Sequence, residues 1–481
     1  MTTNQPDPIV FGERPLSIEQ VVALASRSAP AQLQSDAAYR EKIAKGARFL
    51  DSLLDKEGVI YGVTTGYGDS CVVAVPLHQV EALPRHLYTF HGCGLGKLLD
   101  EPATRAVLAA RLQSLCQGVS GVRVELLERL QAFLEFDVLP LIPEEGSVGA
   151  SGDLTPLSYV AATLSGERDV MFKGERRSAA DVHKELGWTP LTLRPKEALA
   201  LMNGTAVMTA LACQAYSRAD YLLKLATRIT ALNVVALEGN PEHFDERLFA
   251  AKPHPGQMQV AAWLRQDLAI DAPTAPLHRL QDRYSLRCAP HVLGVMADSL
   301  GLLRQFIETE LNSANDNPLI DPDGERVLHG GHFYGGHIAM AMDTLKTAVA
   351  NVADLLDRQL ALLVDSKFNH GLPSNLSGAQ GPRAAINHGL KALQISVSAW
   401  TAEALKHTMP ASVFSRSTEC HNQDKVSMGT IAARDALRVL ELTEQVAAAM
   451  LIAARQAMAL RQRVAALPLP DALAAFLGQL S

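Results

Sequence analysis

The sequence has little cysteine, no strongly charged tract and no long apolar run. Its six cysteines, spread over 481 residues, form no CxxC pair, which excludes a disulfide framework or a cysteine zinc site and indicates reduced thiols. The formal net charge of -7 without a basic tract excludes the pattern of a nucleic-acid or membrane-surface protein. No run reaches the roughly 18 apolar residues of a membrane span, and no targeting pattern is visible. We therefore expect a cytoplasmic protein with a small-molecule partner.

Helical periodicity dominates what the sequence does contain. Apolar residues recur at helical spacing on both sides of a GVSG segment at 118–121, which predicts two helices between Pro102 and Leu141. Four longer stretches carry the same apolar stripe: Leu286–Leu311, Ile338–Asn369, Arg383–His407 and Ser427–Leu460. Helices of this kind bury their stripes against one another, so a long-helix bundle is predicted for the second half of the chain.

The first half of the chain is more broken and holds the small predicted strand content. A hairpin is predicted over Val170–Arg177, with its turn at Lys173-Gly174. No internal repeat, low-complexity segment or flexible linker divides the chain. We therefore predict a mainly α fold, with an irregular N-terminal lobe over residues 1–200 and a helical-bundle region over residues 201–481.

A serine stands between very small residues in Ala150-Ser151-Gly152, and Asp153 follows at once. One interpretation is a helix N-cap, since a small polar residue before an apolar run satisfies free amides. A second is a serine hydrolase, although GASGD lacks the last glycine of the G-x-S-x-G elbow and no preceding strand is predicted. In a third, the Gly152 nitrogen attacks the Ala150 carbonyl, where glycine leaves the approach unobstructed. Loss of water from the ring and from Ser151 would then leave an electrophilic methylidene.

The longer segment Gly149–Leu157, GASGDLTPL, resembles the signature of the aromatic amino-acid ammonia-lyases and aminomutases. Their cofactor is 4-methylidene-imidazole-5-one (MIO), and the resemblance implies that it forms autocatalytically from Ala150, Ser151 and Gly152. Further blocks similar to the family follow in its order: VIYGVTTGYG (59–68), ALMNGT (200–205), QDRYSLRC (281–288), ELNSANDNPL (310–319) and HNQDKVSMG (421–429). The resemblance implies a fumarase/aspartase-like helical fold. A non-enzymatic helical scaffold would explain the bundle but not these blocks.

The resemblance also implies roles for residues in these blocks. Tyr61 would be the general base, and Arg287 would bind the substrate carboxylate. Asn203 and Tyr284 would hydrogen-bond the MIO and amine region. Taken alone, Asn203 is typical of a helix C-cap and Arg287 of a solvated helix charge. The other residues that the resemblance places around the substrate are Phe90, His91, Gln281, Asn315, Phe333, Glu419 and Gln423.

The implied reaction is elimination of ammonia from an α-amino acid, which needs an activated amine and a base for a weakly acidic β-hydrogen. MIO would activate the amine, and Tyr61 would remove the β-proton. A tyrosine acts as a base near neutral pH only where its phenolate is stabilised, so we expect positive potential, such as helix N-termini, around Tyr61. The family resemblance further implies a homotetramer whose active sites combine loops from three chains.

The substrate prediction depends on Phe90, His91 and Gln423. His91 occupies a position that is histidine in histidine lyases and some tyrosine enzymes, whereas Phe90 resembles the phenylalanine lyases. Histidine lyases carry a glutamate where this chain has Gln423, so a natural partner for an imidazole is missing. We predict L-tyrosine or a related hydroxylated aromatic amino acid as substrate, giving 4-coumarate or a similar acid. Histidine ammonia-lyase, giving urocanate, is the first alternative, and an aromatic 2,3-aminomutase is the second.

Two other motifs do not indicate a phosphate or metal site. The glycines of Gly92–Lys97 suggest a phosphate loop, but the Walker spacing and a preceding strand are missing, so a turn between helices is predicted. His329, His332 and His337 are close in sequence, yet no HExxH pair or acidic ligand set accompanies them. No metal is predicted.

Overall fold

The structure, a computed structural model, describes residues 7–56, 59–270, 279–464 and 469–479. Within these ranges the α-helices are α1 (Ile18–Ala25), α2 (Ala37–Asp55), α3 (Leu77–Val80), α4 (Leu83–Phe90), α5 (Glu101–Leu115), α6 (Val124–Glu135), α7 (Leu154–Leu164), α8 (Ala179–Glu185), α9 (Glu197–Met202), α10 (Ala206–Ala236), α11 (Glu246–Ala250), α12 (Pro255–Asp267), α13 (Tyr284–Arg287), α14 (Ala289–Leu311), α15 (Gly336–Val364), α16 (Lys391–Lys406), α17 (Gly429–Val464) and α18 (Asp471–Gly478). Helices dominate these residues, so the predicted mainly α fold is confirmed.

The strands are short and form small separate sheets. They are β1 (Ile9–Phe11), β2 (Ala31–Leu33), β3 (Leu95–Leu98), β4 (Leu139–Pro140), β5 (Pro143–Glu145), β6 (Asp169–Phe172), β7 (Glu175–Ser178), β8 (Leu319–Asp321) and β9 (Arg326–Leu328). The β1–β2 pair is parallel, whereas β3–β5, β4–β6–β7 and β8–β9 are antiparallel. The β6–β7 pair is the predicted hairpin, which is therefore confirmed.

The chain divides into two compact units. Unit 1 comprises the described residues of Met1–Ser217, Arg304–Met342 and Pro410–Arg434. Unit 2 comprises those of Arg218–Leu303, Asp343–Met409 and Asp435–Ser481. The predicted lobes, 1–200 and 201–481, stay a prediction about the organisation of the chain.

Unit 1 contains the two helices predicted between Pro102 and Leu141, here α5 and α6. Helix α5 is buried on all sides from its third residue to its last. The Gly92–Lys97 segment connects two helices, α4 and α5, as predicted, but its second half belongs to the strand β3 rather than to a turn. A side chain at Gly96 would lie 2.7 Å from the Glu145 carboxyl carbon, so glycine there permits close approach of the β5 strand.

The long predicted helices are present, with one corrected boundary. Helices α14, α15 and α17 cover most of the predicted stretches. The third stretch, predicted from Arg383, begins in the 3-10 helix Gly381–Ala385 and becomes α-helical only at Lys391. Gly389 stops it, because this residue is left-handed (φ 54°) and a side chain there would meet the Asn375 carbonyl oxygen at 2.2 Å.

The 31-residue helix α10 was not predicted. Its buried face includes polar residues, among them Thr227, Thr230 and Asn233, which interrupt the apolar stripe. The Thr227 and Thr230 hydroxyls donate to carbonyls one turn earlier in the helix, and Asn233 donates to Gln359 over 2.7 Å. Because a hydropathy pattern treats such polar residues as surface positions, their burial hides the helix from it. Asn233 Oδ1 itself is buried without a partner among the described residues.

Polar pairs join the long helices of unit 2 to one another. They are Arg218 with Glu444, Asn233 with Gln359, Lys346 with Asp435, Asp357 with Ser398 and Glu403 with Arg438. These pairs run between α10 and α17, α10 and α15, α15 and α17, α15 and α16, and α16 and α17. Three of the four stretches predicted to pack as a bundle, now α15, α16 and α17, are therefore neighbours within this unit.

Among the described residues, no helix combines the length and the hydrophobicity needed to cross a membrane. In the same residues, no group of three or more His, Cys, Asp or Glu side chains is placed to hold a metal ion. His329, His332 and His337 lie at and just before the start of α15 in unit 1.

Candidate active site

The Ala150–Ser151–Gly152 tripeptide forms a strained turn immediately before α7. Ser151 has φ 51°, and the glycines on either side of Ala150 and Ser151, Gly149 and Gly152, have φ 75° and 76°. A left-handed serine is unfavourable and persists only where its surroundings impose it. The N-cap interpretation of Ser151 is wrong, because α7 begins at Leu154 and Asp153 is its cap residue.

The glycines of this region are required by close backbone contacts. A side chain at Gly152 would lie 2.1 Å from the Gly204 carbonyl oxygen, and one at Gly149 would lie 2.2 Å from Ser427 Oγ. Because the Gly204 contact is with backbone, no rotamer change could relieve it. The small residues around Ser151 therefore allow the turn that follows α9 to approach the tripeptide closely.

That turn, Asn203–Gly204, holds the tripeptide by its backbone. Asn203 Nδ2 donates to the Ser151 carbonyl over 3.1 Å, and the Gly204 amide donates to the same oxygen over 3.2 Å. The Asp153 amide returns a bond to the Gly204 carbonyl over 2.8 Å. The Gly152 amide, in contrast, donates no hydrogen bond to any described residue. Asn203 is also the cap residue that follows α9, so its two interpretations are compatible.

Gln423 approaches the serine side chain. Its Nε2 donates to Ser151 Oγ over 3.3 Å, and its Oε1 accepts from Thr418 Oγ1 over 2.9 Å. The backbones of Thr418 and Gln423 also pair in an antiparallel bridge. The amide of Gln423 is therefore oriented with its nitrogen towards Ser151.

Asp153 anchors the C-terminal side of the tripeptide and is fully buried. Its carboxylate accepts from Ser147 Oγ over 3.0 Å, from the Met208 amide over 2.9 Å and from Thr430 Oγ1. Burial raises the pKa of this carboxyl, and these donors oppose the shift. Sequence reasoning did not give Asp153 a role in the site. Its position directly after the tripeptide was the available signal, whereas its side-chain donors Ser147 and Thr430 lie outside the blocks quoted for the resemblance.

Tyr61 lies half-buried in the loop that precedes the 3-10 helix Gly68–Val72. Its hydroxyl oxygen accepts from the Gly68 amide over 2.7 Å. Burial raises the pKa of Tyr61, the Gly68 amide lowers it, and the Glu419 carboxylate raises it further. Gly68 is the first residue of this 3-10 helix, so one helix N-terminal amide stabilises the phenolate, whereas the Glu419 carboxylate opposes it. The expected convergence of positive potential on Tyr61 stays a prediction.

Glu419 holds the loop of Tyr61. Its Oε1 accepts from the Asp69 amide over 2.8 Å, and its Oε2 accepts from Asn422 Nδ2 over 2.9 Å. A side chain at Gly68 would lie only 1.9 Å from the Glu419 carboxylate. Glu419 itself is left-handed, with φ 52°. Because Gly68 is left-handed (φ 58°), a larger residue there would be strained and would also displace the Glu419 carboxylate.

Phe90 and His91 lie at the C-terminal end of α4, with ring centroids 4.5 Å apart. Phe90 is exposed, and His91 is half-buried. Burial lowers the pKa of His91 to about 4, so its imidazole is neutral at physiological pH. A neutral imidazole can donate or accept a hydrogen bond but offers no charge to a substrate.

Asn315 is buried behind the Asn203–Gly204 turn. Its Oδ1 accepts from the Thr205 amide over 3.3 Å, from Arg111 Nη1 over 3.2 Å and from Ser114 Oγ over 3.3 Å. Its Nδ2 donates to Ser313 Oγ over 3.3 Å. Both ends of the amide are therefore engaged within the protein, which is the pattern of a supporting residue.

Phe333 is half-buried in the loop before α15, in unit 1. Gln281, Tyr284 and Arg287 belong to unit 2, where Gln281 and Tyr284 are exposed. The Arg287 guanidinium lies 4.8 Å from the Tyr284 ring centroid, and its buried Nε has no hydrogen-bond partner among the described residues. Within unit 1, Asn203 and Gln423 hydrogen-bond Ser151, and Asn315 supports the Asn203–Gly204 turn through Arg111. The Glu419 carboxylate acts electrostatically on Tyr61.

Comparison with known proteins identifies the family. The family model for aromatic amino acid lyase matches residues 16–480. Histidine ammonia-lyase of Bacillus subtilis is 40% identical over 424 residues, which are 88% of this chain and 82% of that protein. Tyrosine aminomutase from Streptomyces globisporus has a TM-score of 0.88 at 35% identity, covering 95% of this chain and 89% of that one.

A second solved structure, histidine ammonia-lyase from Trypanosoma cruzi, also has a TM-score of 0.88, at 31% identity over 98% of this chain and 87% of that one. These matches confirm the predicted fold class. They favour histidine over tyrosine as the amino acid, which is the alternative rather than the main substrate prediction. The chain is a carbon–nitrogen lyase of the ammonia-lyase type, and it belongs to the aromatic amino acid lyase family.

Proposed function

We propose that this chain eliminates ammonia from an aromatic L-amino acid and releases the corresponding trans-arylacrylate. The observation that carries the proposal is the double hydrogen bond to the Ser151 carbonyl, from Asn203 Nδ2 and the Gly204 amide. It fixes the backbone of the tripeptide in a left-handed turn while the Gly152 amide stays without an acceptor among the described residues. A serine that only capped a helix would need none of these contacts.

These features fit conversion of the tripeptide to MIO. The Gly152 nitrogen is available as a nucleophile, and the glycine leaves its approach open. Asn203 Oδ1 is buried without a partner among the described residues. This is expected of an oxygen that accepts a hydrogen bond only after the site has matured. We infer that Ala150, Ser151 and Gly152 become MIO. When present, MIO supplies an electrophile that turns the substrate amine into a better leaving group.

Tyr61 is proposed to accept the β-proton of the substrate. Its oxygen already accepts from the Gly68 amide, which favours the phenolate. Because burial and Glu419 raise the pKa of Tyr61, the phenol predominates near neutral pH until positive charge enters the site. The substrate ammonium and the guanidinium of Arg287 are the proposed sources of that charge.

Arg287 is proposed to bind the substrate carboxylate, with Tyr284 and Gln281 beside it. A buried guanidinium Nε without a partner among the described residues supports this role, since two parallel N–H groups bind a carboxylate well. Asn203 is proposed to contact the amine region. Phe90, His91, Phe333, Glu419 and Gln423 are proposed to surround the rest of the substrate, with Asn315 as a support.

We further propose a homotetramer with shared active sites. Large apolar side chains are more than half exposed on four long helices: Val295 and Leu302 on α14, Met340 on α15, Ile395 on α16 and Ile452 on α17. Exposed apolar residues repeated along helices are typical of surfaces that other chains cover. Light scattering on the purified protein is expected to give four times the mass of one chain. A monomer that turns over substrate would contradict the proposal.

L-Histidine, giving urocanate, is the first candidate substrate because the similarity to histidine ammonia-lyases supports it. His91 is compatible with this substrate, because a neutral imidazole can exchange a hydrogen bond with the substrate ring. The cytoplasmic location predicted from the cysteines remains a proposal alongside this function.

L-Tyrosine, giving 4-coumarate, is the second candidate because of one specific observation. Gln423 presents an amide nitrogen to Ser151, and no carboxylate stands at this position to pair with an imidazolium. A neutral site with His91 as hydrogen-bond partner is suited to a phenol. A pocket that hydrogen-bonds a substrate hydroxyl can reject an analogue without it by as much as about 10⁴-fold.

One turnover experiment separates these candidates. The purified protein is supplied with L-histidine, L-tyrosine, L-DOPA or L-phenylalanine, and the arylacrylate or urocanate absorbance is followed. The products are also analysed for β-amino acids, because an aminomutase would return the amine to the β-carbon. The highest kcat/KM identifies the substrate, and a chain inactive on all four would contradict the proposed function.

The Ser151→Ala variant tests the cofactor in the same assay. We expect it to lose turnover and to keep the full mass of its sequence, whereas the natural chain is lighter by two water molecules. The fold should persist, since one small hydroxyl is removed. A natural chain of full mass that remained active would exclude MIO.

A further inference from the structure

Arg111 is a fully buried arginine on α5 that the proposed reaction does not use. Its Nη1 donates to the Asn203 carbonyl over 3.2 Å and to Asn315 Oδ1 over 3.2 Å. Its Nη2 donates to Ser114 Oγ over 2.9 Å. The guanidinium therefore ties α5 to the backbone of the turn that follows α9 and to a supporting amide from a third segment.

The charge of Arg111 is retained despite its burial. Burial lowers the pKa of this guanidinium to about 10, and the carboxylates of Asp316 and Asp153 act in the opposite direction. Arg111 is therefore protonated at neutral pH. Asp316 is itself paired with buried Lys196 over 2.5 Å. A buried charge is costly unless nearby groups compensate it, so keeping an arginine here indicates a need for its geometry.

The contact with the turn is close enough to set the position of Gly204. A side chain at Gly204 would lie 2.1 Å from Arg111 Nη1 and 2.3 Å from Asn315 Oδ1. On its other side, Gly204 pairs through its own amide and carbonyl with Ser151 and Asp153. Gly204 is thus held between the guanidinium and the tripeptide. A shift of the Arg111 guanidinium would therefore move the tripeptide through Gly204.

We propose that Arg111 is a positioning residue for ring closure: it holds the Asn203–Gly204 turn against Ala150–Ser151–Gly152 so that the tripeptide cyclises. This inference rests on the proposed conversion of the tripeptide to MIO. Arg111 touches neither substrate nor the reacting atoms. It acts through the hydrogen bonds that Asn203 and Gly204 make to the Ser151 carbonyl.

The step that depends on this position balances without an external oxidant. The Gly152 nitrogen bonds to the Ala150 carbonyl carbon, and its proton passes to the carbonyl oxygen. That oxygen then leaves as water with the proton of the Ser151 nitrogen, which makes a C=N bond. The Ser151 hydroxyl leaves as a second water with the Ser151 Cα proton, which makes the exocyclic C=C bond.

The test compares two buried arginines on the same helix. Arg105 is also buried, at 4% exposure against 0% for Arg111, but it binds the Leu24 and Leu134 carbonyls and Asp137 rather than the turn beside the tripeptide. Full-length R111M, R111K, R105M and natural chains are purified soon after expression. Intact-protein mass spectrometry over time then gives the fraction of chains that have lost two waters, and thermal unfolding gives the stability of each.

We expect ring formation in R111M to be slower by about 10²-fold, as misplacement of a reacting geometry by about 1 Å can cause. R111K should form the ring at an intermediate rate, because one ammonium cannot reproduce the planar fork. R105M should be destabilised to a similar degree and yet be as light as the natural chain.

Three outcomes would overturn the role of Arg111. They are ring formation in R111M at the natural rate, equal loss of the ring in R105M and R111M, and, if R111M does not fold, ring formation in R111K at the natural rate. A natural chain of full mass would instead overturn the proposed function itself. The two failures are therefore distinguishable.

Discussion

The side-chain amide of Gln423 faces the hydroxyl of Ser151, with 3.3 Å between Nε2 and Oγ. Thr418 fixes this orientation by donating to the opposite end of the amide. The reacting serine is therefore met by a neutral donor rather than by a carboxylate. This relationship separates the two candidate substrates, because an imidazole with two ring nitrogens gains more from a nearby negative charge than a phenol does.

The Gln423→Glu variant is expected to shift the preference towards L-histidine. A carboxylate at this position would pair with the imidazole N–H or imidazolium, so kcat/KM for L-histidine relative to L-tyrosine should rise roughly 10-fold or more. Steady-state kinetics with both substrates check this ratio. Gln423→Leu is the control, because it removes the amide without adding charge. An unchanged ratio in Gln423→Glu would show that Gln423 does not meet the substrate ring.

The Tyr61→Phe variant is expected to lose turnover by about 10²-fold to 10⁴-fold, as removal of a general base does. Its mass should still be lower than its sequence by two waters, since Tyr61 takes no part in ring closure. Tyr67→Phe is the matched control: Tyr67 lies in the same loop, and its ring packs where a side chain at Gly62 would be. Full activity in Tyr61→Phe would show that another group removes the β-proton.

The pH dependence of the reaction is expected to respond to Glu419. The deprotonated form of Tyr61 is the active base, so kcat/KM rises as the pH passes the pKa of Tyr61, which burial and the Glu419 charge raise. Glu419→Gln keeps an acceptor for the Asp69 amide but removes that charge. Its alkaline rise should therefore begin at lower pH than in the natural protein.

Asn422→Ala is the control for this pH profile. It removes the 2.9 Å hydrogen bond to Glu419 but leaves the carboxylate charge in place. The rise of kcat/KM with pH should then stay where it is in the natural protein. If Asn422→Ala and Glu419→Gln shift the profile equally, loop geometry rather than charge governs the Tyr61 base.

His183 is expected to weaken the fold in mild acid. It is fully buried beside Phe133 and Trp188, neither ring nitrogen has a partner among the described residues, and burial lowers its pKa to about 4. The unfolded chain therefore binds this proton more readily between about pH 6.5 and pH 4. Stability is fully present above pH 6.5 and falls through this window, by up to about 3 kcal/mol.

The His183→Leu variant should lose less stability than the natural protein as the pH falls. Near pH 7 its free energy of unfolding should stay within about 1 kcal/mol of the natural value, because no hydrogen bond is removed. Urea unfolding at pH 5 and pH 7 measures the difference. His91, His243 and His291, whose pKa values are also lowered by burial, are expected to contribute to the remaining loss. Exposed His388→Leu is the control, and equal pH profiles for the two variants would contradict the prediction.

Much of the architecture follows from local sequence. Apolar residues recur every three or four positions along α14, α15 and α17. Residues at that spacing share one helix face, so the apolar period alone identifies these helices. Helix α10 escaped this reasoning because threonine and asparagine stand on its buried face. The late start of α16 escaped it because a close contact at Gly389 with a distant carbonyl stops the helix.

For the site, the sequence determined the tripeptide, the candidate base and the blocks that surround them. Tertiary structure alone decided what touches Ser151: Asn203 is 52 positions away, and Gln423 is 272 positions away. It also decided that Arg111, an ordinary helix arginine in the sequence, lies behind the Asn203–Gly204 turn. Propensity and periodicity act over a few neighbouring residues, whereas hydrogen bonds between distant segments form only after packing has brought those segments together.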